Sequence, residues 1–161
     1  MTIRTGDRLP PATLHEMTSD GPKPRTVEEL TQGKRVIIIG LPGAFTPTCS
    51  GKHIPGFLEY YPKLKAKAID EIMCVSVNDA FVMDAWGKAL SAGGKVRMLG
   101  DGNADFAKAT GLDADMTGRG MGMRSRRYAM LVDNGVVKSL NVDEPGKFEV
   151  SDACTLFGQL G

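Results

Sequence analysis

The chain has 161 residues, 42% of them hydrophobic and 24% charged, enough for one globular domain spanning residues 1–161 with a full core and no second unit. A formal net charge of +1 gives no general electrostatic reason to expect nucleic acid or a membrane surface as partner, which leaves small solutes. The first residues, Met1 to Asp7, lack the apolar core of a signal peptide, and no later run approaches the roughly 20 apolar residues of a membrane span. Three irregularly spaced cysteines are too few for a disulfide scaffold, so a cytoplasmic protein in a reducing compartment is the expectation.

In chain order, residues 12–17 offer a possible strand, followed by a turn-rich stretch at 20–24 that contains Pro22 and Pro24. Residues 35–40 are short, apolar and β-branched without polar alternation, the pattern of a strand covered on both faces. A helical region over 47–69 follows. Pro55 and Pro62 each remove a backbone donor, so two pieces are expected there. Residues 71–78 read as a second buried strand, 79–90 as a helix with Asp79 near its N-terminus, and 96–99 as a third strand, an order that suggests parallel pairing. Residues 103–110 form a short helix closed by Gly111, 128–132 meets 136–142 across Asp133-Asn134-Gly135 as a hairpin, and 151–160 is a terminal helix.

Chemistry concentrates at Pro42-Gly43-Ala44-Phe45-Thr46-Pro47-Thr48-Cys49. Thr46 suits the N-cap and Pro47 the first helical position, which puts Cys49 third, among the unpaired N–H groups of a helix start. Helix-terminal partial charge and a nearby cation favour a thiolate over a thiol, and only the thiolate is a nucleophile.

These residues resemble the peroxiredoxins, whose Pro-x-x-x-Thr-x-x-Cys signature is present as Pro42, Thr46 and Cys49. The continuation from Ser50 to Phe57, with Cys74 to Asp79, Phe81 to Met83, Ala85-Trp86 and Arg124 to Tyr128, is similar to the type-II, peroxiredoxin-V-like branch over nearly the whole chain. The resemblance implies an α/β thioredoxin-like fold and a thiol peroxidase acting on hydrogen peroxide and alkyl hydroperoxides. It implies no metal and no bound organic cofactor. Glutathione with glutaredoxin, or thioredoxin, would supply electrons, and a homodimer with Phe45 and Phe81 near its contact is expected. Cys49 would become the sulfenic acid, Thr46 would turn its hydroxyl to sulfur and peroxide, Pro42 would shield the sulfur, and the amides of Thr48 and Cys49 would donate to peroxide oxygen. The cation is assigned to Arg127, with Arg124 as its helper and Arg126 expected to point elsewhere by strand alternation.

Other readings compete. His53, one turn after Cys49, invites a cysteine–histidine hydrolase, but spacing alone supplies neither an orienting partner nor an oxyanion pocket. A structural or edge-of-site role is the alternative for His53. The run Gly118-Arg119-Gly120-Met121-Gly122 lacks the ending of a phosphate loop and reads as a flexible loop. A zinc site is not expected, because the cysteines and histidines do not form two close ligand pairs. A catalytically silent thioredoxin-fold interaction or redox-signalling module is the competing function, against which the intact Pro42, Thr46, Cys49 and Arg127 argue. Cys74, inside a buried strand, and Cys154, on the terminal helix, are not expected to resolve the sulfenic acid without local unfolding.

Overall fold

The computed structural model describes residues 2–160. Among them run strands β1 (Thr13–Thr18), β2 (Gly21–Thr26), β3 (Arg35–Gly40), β4 (Glu71–Ser76), β5 (Val96–Gly100), β6 (Asp113–Asp115), β7 (Met123–Ser125), β8 (Tyr128–Asp133) and β9 (Val136–Val142). The α-helices are α1 (Val27–Thr31), α2 (Ile54–Ala66), α3 (Ala80–Ala89), α4 (Asp105–Thr110) and α5 (Ala153–Gln159). Seven strands form one mixed sheet in the order β2-β1-β5-β4-β3-β8-β9, and β6 with β7 forms a separate ribbon. The pairs β3–β4 and β4–β5 are parallel, as the strand–helix–strand order predicts, and β3–β8 is antiparallel. This mixed sheet flanked by helices is the thioredoxin-like single domain that the resemblance implied.

Alternation along the central strand feeds two cores. Ile37 and Ile39 pack with Phe57, Trp86 and Leu156, while Val36 and Ile38 pack on the other face with Leu30 and Phe106. Both faces are therefore covered, which is why β3 is apolar throughout. Each of these large side chains contributes about 1.5–3 kcal/mol by leaving water. The close of β3 needs glycine. A Cβ on Gly40 would stand 1.9 Å from the Tyr128 ring, whose residue is its register partner on β8.

Local chemistry sets most boundaries. Asp79 caps α3 by accepting from the Val82 N–H, Gly111 closes α4 in the left-handed region, and Asn134 and Gly135 supply the two positive φ angles of the β8–β9 turn. Two expectations fail for physical reasons. The segment with Pro22 and Pro24 is strand β2, because it is an edge strand and two prolines at alternate positions can both turn their donorless nitrogens outward.

Residues 47–66 are one helical run rather than two pieces. A π turn over Cys49–His53 takes up the disturbance, with the Ile54 N–H reaching back to the Cys49 carbonyl. Pro55 then falls in the first turn of α2, where its missing donor matters least, and Pro62 is carried on an exposed position. The glycine run at 118–122 lies at the tip of the β6–β7 ribbon, where Thr117–Arg119 forms a 3₁₀ turn.

Candidate active site

Register brings the distant residues together. Gly40 at the end of β3 pairs with Tyr128 at the start of β8, so the segment leaving β3 and the segment entering β8 lie side by side. The first carries Pro42, Thr46, Thr48 and Cys49, and the second carries Arg127. The Arg127 backbone is framed by two bonds: the Arg126 N–H to the Leu112 carbonyl at 2.7 Å and the Asp143 N–H to the Arg127 carbonyl at 2.9 Å.

Cys49 is fully buried, and its Sγ accepts from Arg127 Nη2 at 3.2 Å. The other arm of the guanidinium, Nη1, lies 3.0 Å from His53 Nδ1, and His53 Nε2 lies 3.0 Å from the Ser151 carbonyl. A carbonyl only accepts, so Nε2 carries the proton and Nδ1 offers its lone pair to Arg127. Burial first, and then the charge of Arg127, push the imidazole from 6.5 down to about 3, against the opposing pull of Ser151, Asp143 and Asp152. His53 is therefore neutral at neutral pH and faces the arginine. It is not placed as a base for the sulfur, which removes the hydrolase reading. The Phe148 ring closes the arrangement, 5.1 Å from the imidazole and 5.9 Å from Arg127 Cζ.

The loop before the helix is held in shape. Ala44 N–H donates to Asn78 Oδ1 at 3.0 Å, the same oxygen that accepts from Ser76 Oγ, and Phe45 sits at a φ of 65°. The Thr46 carbonyl accepts the first helical bond, from Ser50 N–H at 2.9 Å, while its hydroxyl donates back to the Gly43 carbonyl at 2.8 Å. Trp86 Nε1 donates to Ser50 Oγ at 2.9 Å, tying the π turn to α3. A cleft of about 940 Å³ has Pro42, Thr46, Thr48, Arg126, Arg127 and Phe148 among its walls, which thus include residues that flank Cys49 in the chain and the arginine that holds its sulfur.

The two neighbouring arginines are held at backbone carbonyls rather than at the sulfur. Arg124 directs Nε to the Met121 carbonyl at 2.9 Å and Nη1 to the Pro42 carbonyl at 3.4 Å, so it braces the loop rather than assisting Arg127 at the sulfur. Arg126, which also lines the cleft, directs Nη2 to the Asp143 carbonyl at 3.4 Å and leaves the sulfur to Arg127, although both residues precede β8. The other two cysteines are separate cases. Cys74 is buried, and burial followed by the proximity of Cys49 pushes its thiol well above the usual range, whereas Cys154 is exposed on α5.

Of the residues that build this site, Asn78, Phe148, Asp143 and Ser151 carry no local signal, and His53 had only its spacing from Cys49. Ser151 lies 98 residues from the imidazole it orients.

Comparison with known proteins agrees with the geometry. The redoxin family profile matches residues 4–156. The chain is 52% identical to a chloroplastic peroxiredoxin-2E-2 of Oryza sativa subsp. japonica, over 94% of this chain and 70% of that protein. It is 45% identical to peroxiredoxin-2B of Arabidopsis thaliana, over 94% of each. Among solved structures it is similar to reduced Prx3 of Vibrio vulnificus in complex with hydrogen peroxide, with a TM-score of 0.96 and 51% identity over 99% of this chain and 100% of that one.

Proposed function

Because the chain belongs to the redoxin family as a type-II peroxiredoxin, and is a thiol-dependent peroxidase, we propose that Cys49 is its peroxidatic sulfur and Arg127 its fixed cation. The observation that carries this reading is the 3.2 Å contact between Arg127 Nη2 and Cys49 Sγ, made while the other arm is held by His53. The thiolate attacks the terminal oxygen of hydrogen peroxide or an alkyl hydroperoxide. The S–O bond forms as the O–O bond breaks, and the departing oxygen takes up a proton to leave as water or an alcohol, so that Cys49 becomes a sulfenic acid.

Negative charge moves from sulfur to the departing oxygen during this step. Arg127 keeps its proton and follows that charge, because its planar fork offers donors to both atoms. Thr46, whose hydroxyl is turned by the Gly43 carbonyl, accepts from the peroxide and aligns it. The amides of Thr48 and Cys49, orphan donors of a helix start, hold the second oxygen. Pro42 forms the wall that keeps water from the sulfur, and Arg124 keeps that wall in place through the Pro42 carbonyl.

An external thiol resolves the sulfenic acid. It attacks sulfur, releases water and leaves a mixed disulfide, which a second thiol reduces; glutathione with glutaredoxin fits this role, with thioredoxin as the alternative. The raised, buried Cys74 thiol and the separate helix of Cys154 favour this route over an internal disulfide. Three free thiols suit a reducing compartment, and the cytoplasm is the proposed location. Phe45 and Phe81 are 55% and 64% exposed, and their burial between two copies of the chain accounts for two large aromatics left in solvent.

The test of the resolving step is a Cys74→Ser/Cys154→Ser double variant supplied with peroxide, glutathione and glutaredoxin. Sustained turnover is expected. Lost turnover, together with a stoichiometric Cys49–Cys74 or Cys49–Cys154 bridge in the parent, would reject external resolution.

A further inference from the structure

We infer that Asp143 is a positioning residue for Arg127: it clamps the segment 149–151 so that the Ser151 carbonyl sets the tautomer of His53, and the tautomer sets the guanidinium on the sulfur. The inference rests on the assignment of Cys49 and Arg127 given above and extends it to a residue that touches neither substrate nor sulfur.

Asp143 follows β9 and is 3% exposed. Its carboxylate accepts four hydrogen bonds: Oδ1 from the Glu149 and Val150 amides at 2.8 and 2.9 Å, and Oδ2 from the Ser151 amide and hydroxyl at 3.1 and 2.5 Å. Burial opposes the charge, but these donors outweigh it and hold the carboxyl below its usual range. Residues 144–150, mostly exposed, are thereby closed into a loop whose two ends meet at one side chain.

Two features of that loop reach the site. Phe148 lays its ring beside His53 and Arg127, and the Ser151 carbonyl accepts from His53 Nε2. The carbonyl's contribution is directional. With Nε2 protonated, the lone pair of Nδ1 receives Arg127 Nη1. With the proton on Nδ1 instead, two donors would face each other across the 3.0 Å gap and the guanidinium would have to turn. The fork is rigid, so turning Nη1 away from His53 also moves Nη2 from Cys49. The order is thus Asp143, Ser151, His53, Arg127, Cys49, with a hydrogen bond at every step.

Asp143→Asn is the informative change. An amide has one accepting oxygen and one donating nitrogen in place of two acceptors, so in either orientation at least one backbone N–H of the 149–151 segment faces a donor. Two readouts are taken on the full-length reduced chain: the protonated nitrogen of His53, from two-bond proton–nitrogen correlation spectra, and the second-order rate of Cys49 oxidation by hydrogen peroxide in a single turnover. The wild type is expected to show protonated Nε2 alone. Asp143→Asn is expected to show Nδ1–H as a populated form and to lose tenfold or more in rate.

Ser151→Ala removes only the hydroxyl contact and is expected to fall between the two, which keeps the question answerable if the asparagine variant does not fold. An unchanged tautomer in a folded variant, with or without a slower rate, would overturn the inference, because a merely structural clamp would leave the imidazole proton where it is. A changed tautomer with a rate within twofold of wild type would overturn it equally. If the wild type did not react with peroxide, the assignment of Cys49 would fall, while the spectra would still decide the clamp.

Discussion

Replacing Arg127 by lysine keeps the positive charge and removes the fork. In the native site the guanidinium spans two acceptors at once, 3.0 Å to His53 Nδ1 and 3.2 Å to Cys49 Sγ. A lysine ammonium is a compact point charge on a flexible stem, and it cannot hold both positions in one plane. The loss is then one charge-assisted hydrogen bond in the reacting state, worth about 1.5–3 kcal/mol. At about 1.4 kcal/mol per decade of rate, peroxide attack slows about ten- to a hundredfold. Arg127→Ala removes the charge too and should cost about a hundred- to a thousandfold, the range for deleting a donor to developing negative charge. The assay is rapid mixing of reduced protein with hydrogen peroxide, quenched and followed by mass spectrometry of the Cys49 peptide. A lysine variant within twofold of wild type would show that the paired contact is not what Arg127 contributes.

Further outcomes follow from burial and packing. His53 is held at about 3 against 6.5 when free, chiefly by burial and then by Arg127, with Asp143 and Asp152 opposing. The unfolded chain therefore binds a proton that the native chain refuses, and stability falls as pH drops from 6.5 towards 3, by up to about 1.4 kcal/mol per pH unit. Denaturant titrations should show this slope just below 6.5, above the carboxylate range, and His53→Gln should flatten it. Gly40→Ala drives a methyl to 1.9 Å from the Tyr128 ring and should destabilise by about 1–3 kcal/mol or more. Gly56→Ala, in α2 with open space around its Cβ, should instead stabilise by about 0.5–1 kcal/mol, and equilibrium unfolding of the two variants compares them directly.

Features governed by nearest neighbours were legible from the residues. The apolar run at β3, the Asp79 cap, the Gly111 stop and the Asn134-Gly135 turn each follow from a few adjacent residues. The start of the Cys49 helix was readable for the same reason. What was not readable depends on where an element sits in the sheet or on a partner far along the chain. Pro22 and Pro24 signal a turn unless the strand is known to be an edge, and Pro55 signals a break unless a π turn precedes it.

The site divides in the same way. Thr46 and Cys49 are set by spacing within one turn, whereas His53 acquires its partner through the return of the chain at Ser151. Arg126 does point away from the sulfur, to the Asp143 carbonyl, although the two arginines precede β8 and the strand alternation that suggested this does not extend to them. Arg124 shows a further limit. Its charge suggested chemistry, and its geometry assigns it to two loop carbonyls.

The most direct measurement treats the fully reduced chain with one equivalent of hydrogen peroxide and locates the added oxygen by mass spectrometry after a sulfenic acid trap, with peroxide consumption recorded for the parent and for Cys49→Ser. Modification of Cys49, with consumption lost in the serine variant, is the expected result. Sulfenic acid on Cys74 or Cys154, or undiminished consumption by Cys49→Ser, would contradict the assignment of the reaction to the sulfur held by Arg127.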